Sequence, residues 1–157
     1  MELKFVDGAQ HVFLNGEDVS EAIRTPEASM GASNVSAIPK DREFLFDLQR
    51  KIAAENDCIM DGRDIGTVVL PNADVKIFLT TSVEERANRR YKEMLEKGEE
   101  ADYNDILEDI KKRDYQDSHR EIAPLKQADD AIYVDNGGYN LEDGAEDLLR
   151  IIKEHLK

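Results

Sequence analysis

Six residues, Asp61-Gly62-Arg63-Asp64-Ile65-Gly66, follow the apolar run Cys58-Ile59-Met60 and place three charges and two glycines in one loop. Arginine offers planar donors that match carboxylate or phosphate oxygens in pairs. One aspartate suffices to pair one arginine, so the second leaves an acceptor for a ligand hydroxyl or amine. The ordinary reading is a polar turn with an internal salt bridge. A second group lies further on. Tyr103, Ile106, Ile110, Arg113, Asp117 and Arg120 recur every three or four residues and share one helical face, which begins apolar and ends charged. Taken alone, that face reads as an i, i+4 pair of Arg113 with Asp117 on an outward-turning surface. Taken with the loop, it reads as a stripe that leaves the core for a cleft. There two guanidinium forks meet an anion and Asp117 orients one of them.

The elements around these groups follow from periodicity and punctuation. LKFV and HVFL read as short antiparallel strands joined at Asp7-Gly8, with a second turn signal at Asn15-Gly16. Thr25-Pro26-Glu27 starts a weak helix, and Pro39 opens a better one with Phe44, Leu45, Leu48 and Ile52 on one stripe. From residue 58 the pattern alternates. CIM (58–60), VKIFL (75–79) and AIYVD (131–135) read as buried parallel strands, with Cys58 a small buried hydrophobe. A capping box from Ser82 to Glu85 starts a helix that carries Val83, Ala87, Tyr91, Met94 and Leu95 inward and stops at Gly98. A second helix runs from about Asp102 to Arg120, and a last one from Asn140. The glycine-containing loop thus stands at the carboxyl end of a strand, where ligands of parallel α/β sheets bind. The class is α/β, with parallel strands preceded by a small α+β module.

Composition narrows the function. The 157 residues are 40% apolar and 36% charged, which suits a folded domain with a real core. The net charge of −14 opposes broad binding to nucleic acid or anionic membrane, yet positive charge gathers in RANRRYK (86–92) and KKRDYQDSHR (111–120). Local concentration is what a phosphate site needs. One cysteine and the absence of a signal-like start suit a reducing cytoplasm. His11, His119 and His155 have no metal-ligand spacing, so no metal site is expected from them. Arg24, Arg42, Arg89 and Arg90 lie on flanking elements, and each alone reads as a solvated charge.

FLNGEDVSEAIRTPE, DGRDIGTVV, VKIFLTTSVEERANRRYKE and IKKRDYQDSHREIAPLKQADDAI, with the terminal helix, together resemble bacterial cytidylate kinase, a nucleoside monophosphate kinase family. The resemblance covers nearly the whole chain in family order. It implies phosphoryl transfer from ATP, with Mg²⁺, to CMP or dCMP in the cytoplasm. By it, residues 1–57 are the CMP-binding module, and residues 58–157 a partial core domain with a lid at about 86–120. Ser33 and Arg42 match positions that contact the cytosine and hold the monophosphate. Arg63 and Asp64 match the contacts to substrate phosphate and sugar, leaving Asp61 to support the loop. Arg113, Asp117 and Arg120 match the catalytic cluster around the phosphates and the sugar hydroxyl, with Arg113 near the transferred phosphoryl. Arg89 matches the arginine that stacks on adenine at the lid's edge, and Arg90 is placed on the same ATP side.

The family also carries a strand, a G-x-x-x-x-G-K-[ST] phosphate loop and a helix ahead of these segments. No glycine here is followed by lysine, so the loop is expected to be absent from this chain. In the family's sheet order, 2-3-1-4-5, the expected strands are 3 (CIM), 4 (VKIFL) and 5 (AIYVD). Loss of strand 1 would open two edges, so strands 3 and 4 are expected to re-pair or another chain to fill the gap, which allows self-association. A CMP-binding module or a structural fragment without transfer activity stands as the alternative.

Overall fold

The computed structural model describes residues 2–36 and 38–156, which separate into two units, Met1–Asp47 and Leu48–Lys157. In the first, β1 (Glu2–Val6), β2 (Ala9–Leu14) and β3 (Glu17–Asp18) form an antiparallel sheet in that order. Both hairpins turn on two residues of positive φ, Asp7 (51°) with Gly8 (84°) and Asn15 (53°) with Gly16 (87°). That conformation matches the twist of the strands, and Asn, Asp and Gly adopt it at least cost. Thr25 accepts a hydrogen bond from the Ala28 N–H and starts α1 (Pro26–Val35), with proline in the first turn as expected. The helix α2 (Pro39–Glu55) begins in this unit and ends in the second.

The second unit is built on a parallel pair, β4 (Ile77–Thr80) and β5 (Ile132–Asp135), with Ile77 opposite Ile132 and Thr80 opposite Asp135. Parallel neighbours need a long crossover, and here α3 (Val83–Glu96) and α4 (Tyr103–His119) fill it. Each helix starts on a side-chain cap: Ser82 accepts from the Glu85 N–H, and Asp102 from the N–H groups of Asn104 and Asp105. Asn140 accepts from the Asp143 N–H at the start of α5 (Leu141–His155). Gly98, at a φ of 75°, ends α3 as its sequence predicts. Just ahead of the two strands, the Lys76 ammonium reaches the Asp130 carboxylate at 2.7 Å and the Pro71 carbonyl, with only 7% of its side chain exposed. Val69, Ala87, Val134 and Ile151 form the buried apolar core.

Three expectations are corrected. Cys58–Met60 is not a strand: it joins neither sheet, Ile59 is 91% exposed, and Cys58 is exposed rather than buried. A strand persists through ladder bonds to a neighbouring edge, and β4 pairs with β5 rather than with this segment. The direct re-pairing expected between these two runs therefore does not occur. Leu95 lies on the outer side of α3, about half exposed, because the apolar stripe narrows as the helix reaches its end. The parallel sheet among the described residues is two-stranded, and the fold class is mixed α/β at that level.

The first unit also holds a pH-sensitive knot. Asp18 accepts from the Ser20 hydroxyl and N–H and faces His11 at 2.7 Å. Those bonds hold its carboxyl down at about 2, against an ordinary 3.8, the Ser20 hydroxyl contributing most. A depressed carboxyl pKa stabilises the fold above the unfolded value and loses that effect as pH falls through the folded one. The Asp18 carboxyl signal is expected to titrate near 2 in an NMR series. The hairpin amides should loosen only as pH drops from 3.8 towards 2, and Asp18→Asn should abolish that slope. A midpoint at 3.8 would contradict the bonded geometry.

Candidate functional site

The loop after Met60 is shaped by its glycine and by an unusual turn. A Cβ at Gly62 would stand 2.8 Å from Ile65 Cγ1, so a side chain there would have to displace that of Ile65. Ile65–Val69 then forms one π-helical turn, in which the Asp64 carbonyl accepts from the N–H groups of Val68 and Val69. Such turns are rare and are common at functional sites. The guanidinium of Arg50, on α2, donates to the carbonyls of Val69 (3.0 Å) and Val68 (3.2 Å), which satisfies the turn's carbonyl end. Val69 itself is 2% exposed. The turn is therefore anchored on one side by burial and on the other by arginine, and Asp64 is fixed at its start.

Across from this loop lies the charged end of α4. Arg63 Nε donates to Asp117 Oδ2 at 3.0 Å over a separation of 54 residues. Arg120 returns the contact, with Nη2 3.6 Å from Asp64 Oδ1. Arg113 Nε also lies 3.7 Å from Asp117 Oδ2, the i, i+4 pair that the sequence suggests. Loop arginine thus meets helix aspartate while helix arginine meets loop aspartate. Asp117 is 3% exposed and Asp64 is 9% exposed, whereas Arg63 keeps 41% of its side chain in solvent. The chain beyond α4 folds back to close the arrangement: the Leu125 N–H bonds the Asp117 carbonyl, and Arg120 Nε donates to the Ala123 carbonyl at 2.7 Å. Ala123 adopts a φ of 48° to present it.

Three guanidiniums thus gather around two carboxylates. Each guanidinium has five N–H donors, and the carboxylates engage only part of them. The arrangement can hold an anion with several oxygens, with the carboxylates fixing the forks in advance. The internal salt bridge considered for the loop is not formed, since Arg63 pairs with Asp117 instead of Asp61 or Asp64.

The other residues singled out in the sequence fall elsewhere. Arg89 lines a cleft of about 710 Å³ in the second unit, together with Leu79, Asn136, Tyr139 and Leu148. Its guanidinium donates to the Asn136 carbonyl at 2.9 Å and to Glu85 at 3.3 Å. Arg90 pairs with Glu93 on the same helix. Ser33 and Arg42 belong to the first unit. Ser33 is 8% exposed on α1, and Arg42 donates to the Ser36 carbonyl at 3.2 Å. Among the described residues no three His, Cys, Asp or Glu side chains gather closely enough to hold a metal ion.

Two groups went unread in the sequence. Arg50 sits 18 and 19 residues from the carbonyls it serves, and no side-chain pattern marks a carbonyl. Arg86 and Asp114 form a two-pronged pair between α3 and α4, at 2.9 and 2.6 Å. Their signal was present: Arg86 adjoins Val83 and Ala87 on the inner stripe of α3, and Asp114 follows Ile110 by one turn. A charge on an apolar stripe calls for a partner across the interface. Hydrogen bonding to Asp114 raises the Arg86 pKa above its ordinary value, so its charge is secure.

Asp117→Asn removes the anionic acceptor that Arg63 and Arg113 share. Breaking a fully buried pair costs roughly 3–5 kcal/mol, but both arginines are a third or more exposed and solvent offsets part of that. A loss of about 2 kcal/mol is expected by urea denaturation. An unchanged midpoint would show that the pair contributes nothing.

The family model described as Cytidylate kinase matches residues 1–154. The chain is 50% identical over 153 residues to the cytidylate kinase of Carboxydothermus hydrogenoformans, which covers 96% of this chain and 69% of that protein. It is 50% identical over 157 residues to that of Caldicellulosiruptor bescii, covering all of this chain and 70% of the relative. With the cytidylate kinase of Streptococcus pyogenes serotype M4 the identity is 55% over 139 residues, 88% of this chain and 62% of the relative. A match of this extent, over the loop and the helix that carry the reciprocal Arg–Asp contacts, leaves one assignment: the chain belongs to the cytidylate kinase family.

Proposed function

We propose that this chain forms the acceptor side of phosphoryl transfer from ATP to CMP or dCMP, in the cytoplasm. The observation that carries the reading is the reciprocal pairing of Arg63 with Asp117 and Arg120 with Asp64, with Arg113 beside it. Phosphoryl transfer asks little covalent chemistry of a protein; it asks for in-line positioning and positive charge on the transferring oxygens. A cluster with its forks already held by carboxylates provides both without rearranging long side chains at the moment of binding.

In this reading Arg63, the most solvent-open guanidinium of the cluster, takes the substrate phosphate. Asp64 accepts from the sugar, and Arg120 offsets the repulsion that a carboxylate would otherwise exert on a nearby phosphate. Arg113 faces the transferred phosphoryl, and Asp117 orients it together with Arg63. Residues 1–57 act as the CMP module, with Ser33 and Arg42 for the base and the monophosphate. Residues 58–157 act as the core, with a lid at about 86–120. The cleft beside Arg89 suits a flat base, since it combines the guanidinium plane with Tyr139 and Leu148. Arg90 belongs to the same lid surface. No Gly-Lys pair occurs in the 157 residues, so the donor phosphates are not cradled by a G-x-x-x-x-G-K-[ST] loop of this sequence. No step is assigned to a metal held by these residues, and Mg²⁺ would enter with the nucleotide.

Calorimetry with CMP and with cytidine tests the acceptor role directly. Arg63→Ala is expected to weaken CMP binding by about tenfold or more while leaving cytidine nearly unchanged, because a charge-assisted fork to phosphate is lost. Equal losses for the two ligands would remove Arg63 from the phosphate site. A coupled assay with ATP, Mg²⁺ and CMP then reads transfer itself, and CMP-dependent ADP release is the expected result.

A further inference from the structure

We infer that Arg86, through Asp114, is a positioning residue for the charged end of α4, a role that rests on the acceptor-site reading above. Both nitrogens of the Arg86 fork engage both oxygens of Asp114, at 2.9 and 2.6 Å. The pair is one-third exposed on each side, at the contact between α3 and α4. Among the described residues, the Arg86 and Asp114 side chains bond to one another and to no group of the loop cluster. Their influence on it runs through the helix.

The neighbouring packing explains why such a tie is needed here. Helices slide and rotate easily where the interface is smooth, and the fully buried residue beside Arg86 is Ala87, which has no side chain long enough to interlock. A further directional contact between the two helices is the edge-to-face pair of Tyr91 with Tyr103, 6.2 Å apart, nearer the hairpin's closed end. At the open end, Arg113 and Asp117 stand beside Asp114 and one turn beyond it. Helix geometry makes each residue of rotation about 100° and each residue of slip about 1.5 Å. Small motion there would separate Arg63 from Asp117 and Arg120 from Asp64. A two-pronged pair resists both motions, which a single-point contact does not.

The test uses the chain labelled with nitrogen-15 arginine. The Nε–H signals of Arg63 and Arg120 report their bonds to Asp117 and to the Ala123 carbonyl. In Arg86→Gln, and in Arg86→Lys, which keeps the charge but loses the fork, both signals are expected to move and to exchange faster. CMP affinity should fall about tenfold with them. Exchanging the partners, Arg86→Asp with Asp114→Arg, should restore the signals and most of the affinity. A lowered melting temperature with both signals and CMP affinity unchanged would overturn the inference, because a merely structural pair would do that. If the unaltered chain binds no CMP, the acceptor reading fails, and the two arginine signals still decide the positioning role.

Discussion

The reciprocal Arg–Asp contact between the loop after Met60 and the end of α4 is the constraint on which the rest of the second unit depends. Each carboxylate meets a guanidinium of the other segment, Asp117 with Arg63 and Asp64 with Arg120, while Arg113 stands beside Asp117 on its own helix. Buried carboxylates are costly unless paired, and Asp117 and Asp64 are nearly enclosed. Their partners therefore have to arrive together, and the loop has to hold a shape that delivers Arg63 and Asp64 on neighbouring positions to different residues of one helix. The π-helical turn, the glycine at position 62 and the Arg50 cap on the turn's carbonyls meet that requirement. The fold-back at Ala123 completes it from the other side.

The scaffold beneath is modest. Two parallel strands, closed at their starting ends by Lys76 with Asp130, carry a two-helix crossover whose polar tie lies next to the cluster. Rigidity is therefore supplied largely by directional polar contacts, since the buried apolar core is small. That suits a site for a charged ligand. Carboxylates that already hold guanidiniums keep the forks aimed, and Arg63 among them keeps much of its side chain in solvent.

Much of the local structure was legible in the sequence, for local reasons. The Asp-Gly and Asn-Gly turns, the threonine, serine and asparagine caps and the glycine stop of α3 act within a few residues, and each is found where its chemistry puts it. The charged stripe on α4 was legible in part, because helical spacing puts Arg113 and Asp117 on one face, whereas Arg120, read as helical, is the extended cap just past the helix end. The strand at Cys58–Met60 was misread because β-rich composition describes a residue's fitness for a strand and says nothing about whether an edge is there to receive it.

Residue type and spacing by themselves determined the two charged segments, the helix that carries one of them and the turn-forming glycine in the other. They left open which aspartate each arginine would choose. Arg63 has an aspartate on either side of it within the loop, and an internal pair would have satisfied its charge. Only the tertiary structure carried it 54 positions away to Asp117, and the reason is burial. The enclosed Asp117 gains far more from a cation than the exposed Asp61, and the enclosed Asp64 is met by Arg120, so the partner is decided by where the chain excludes water.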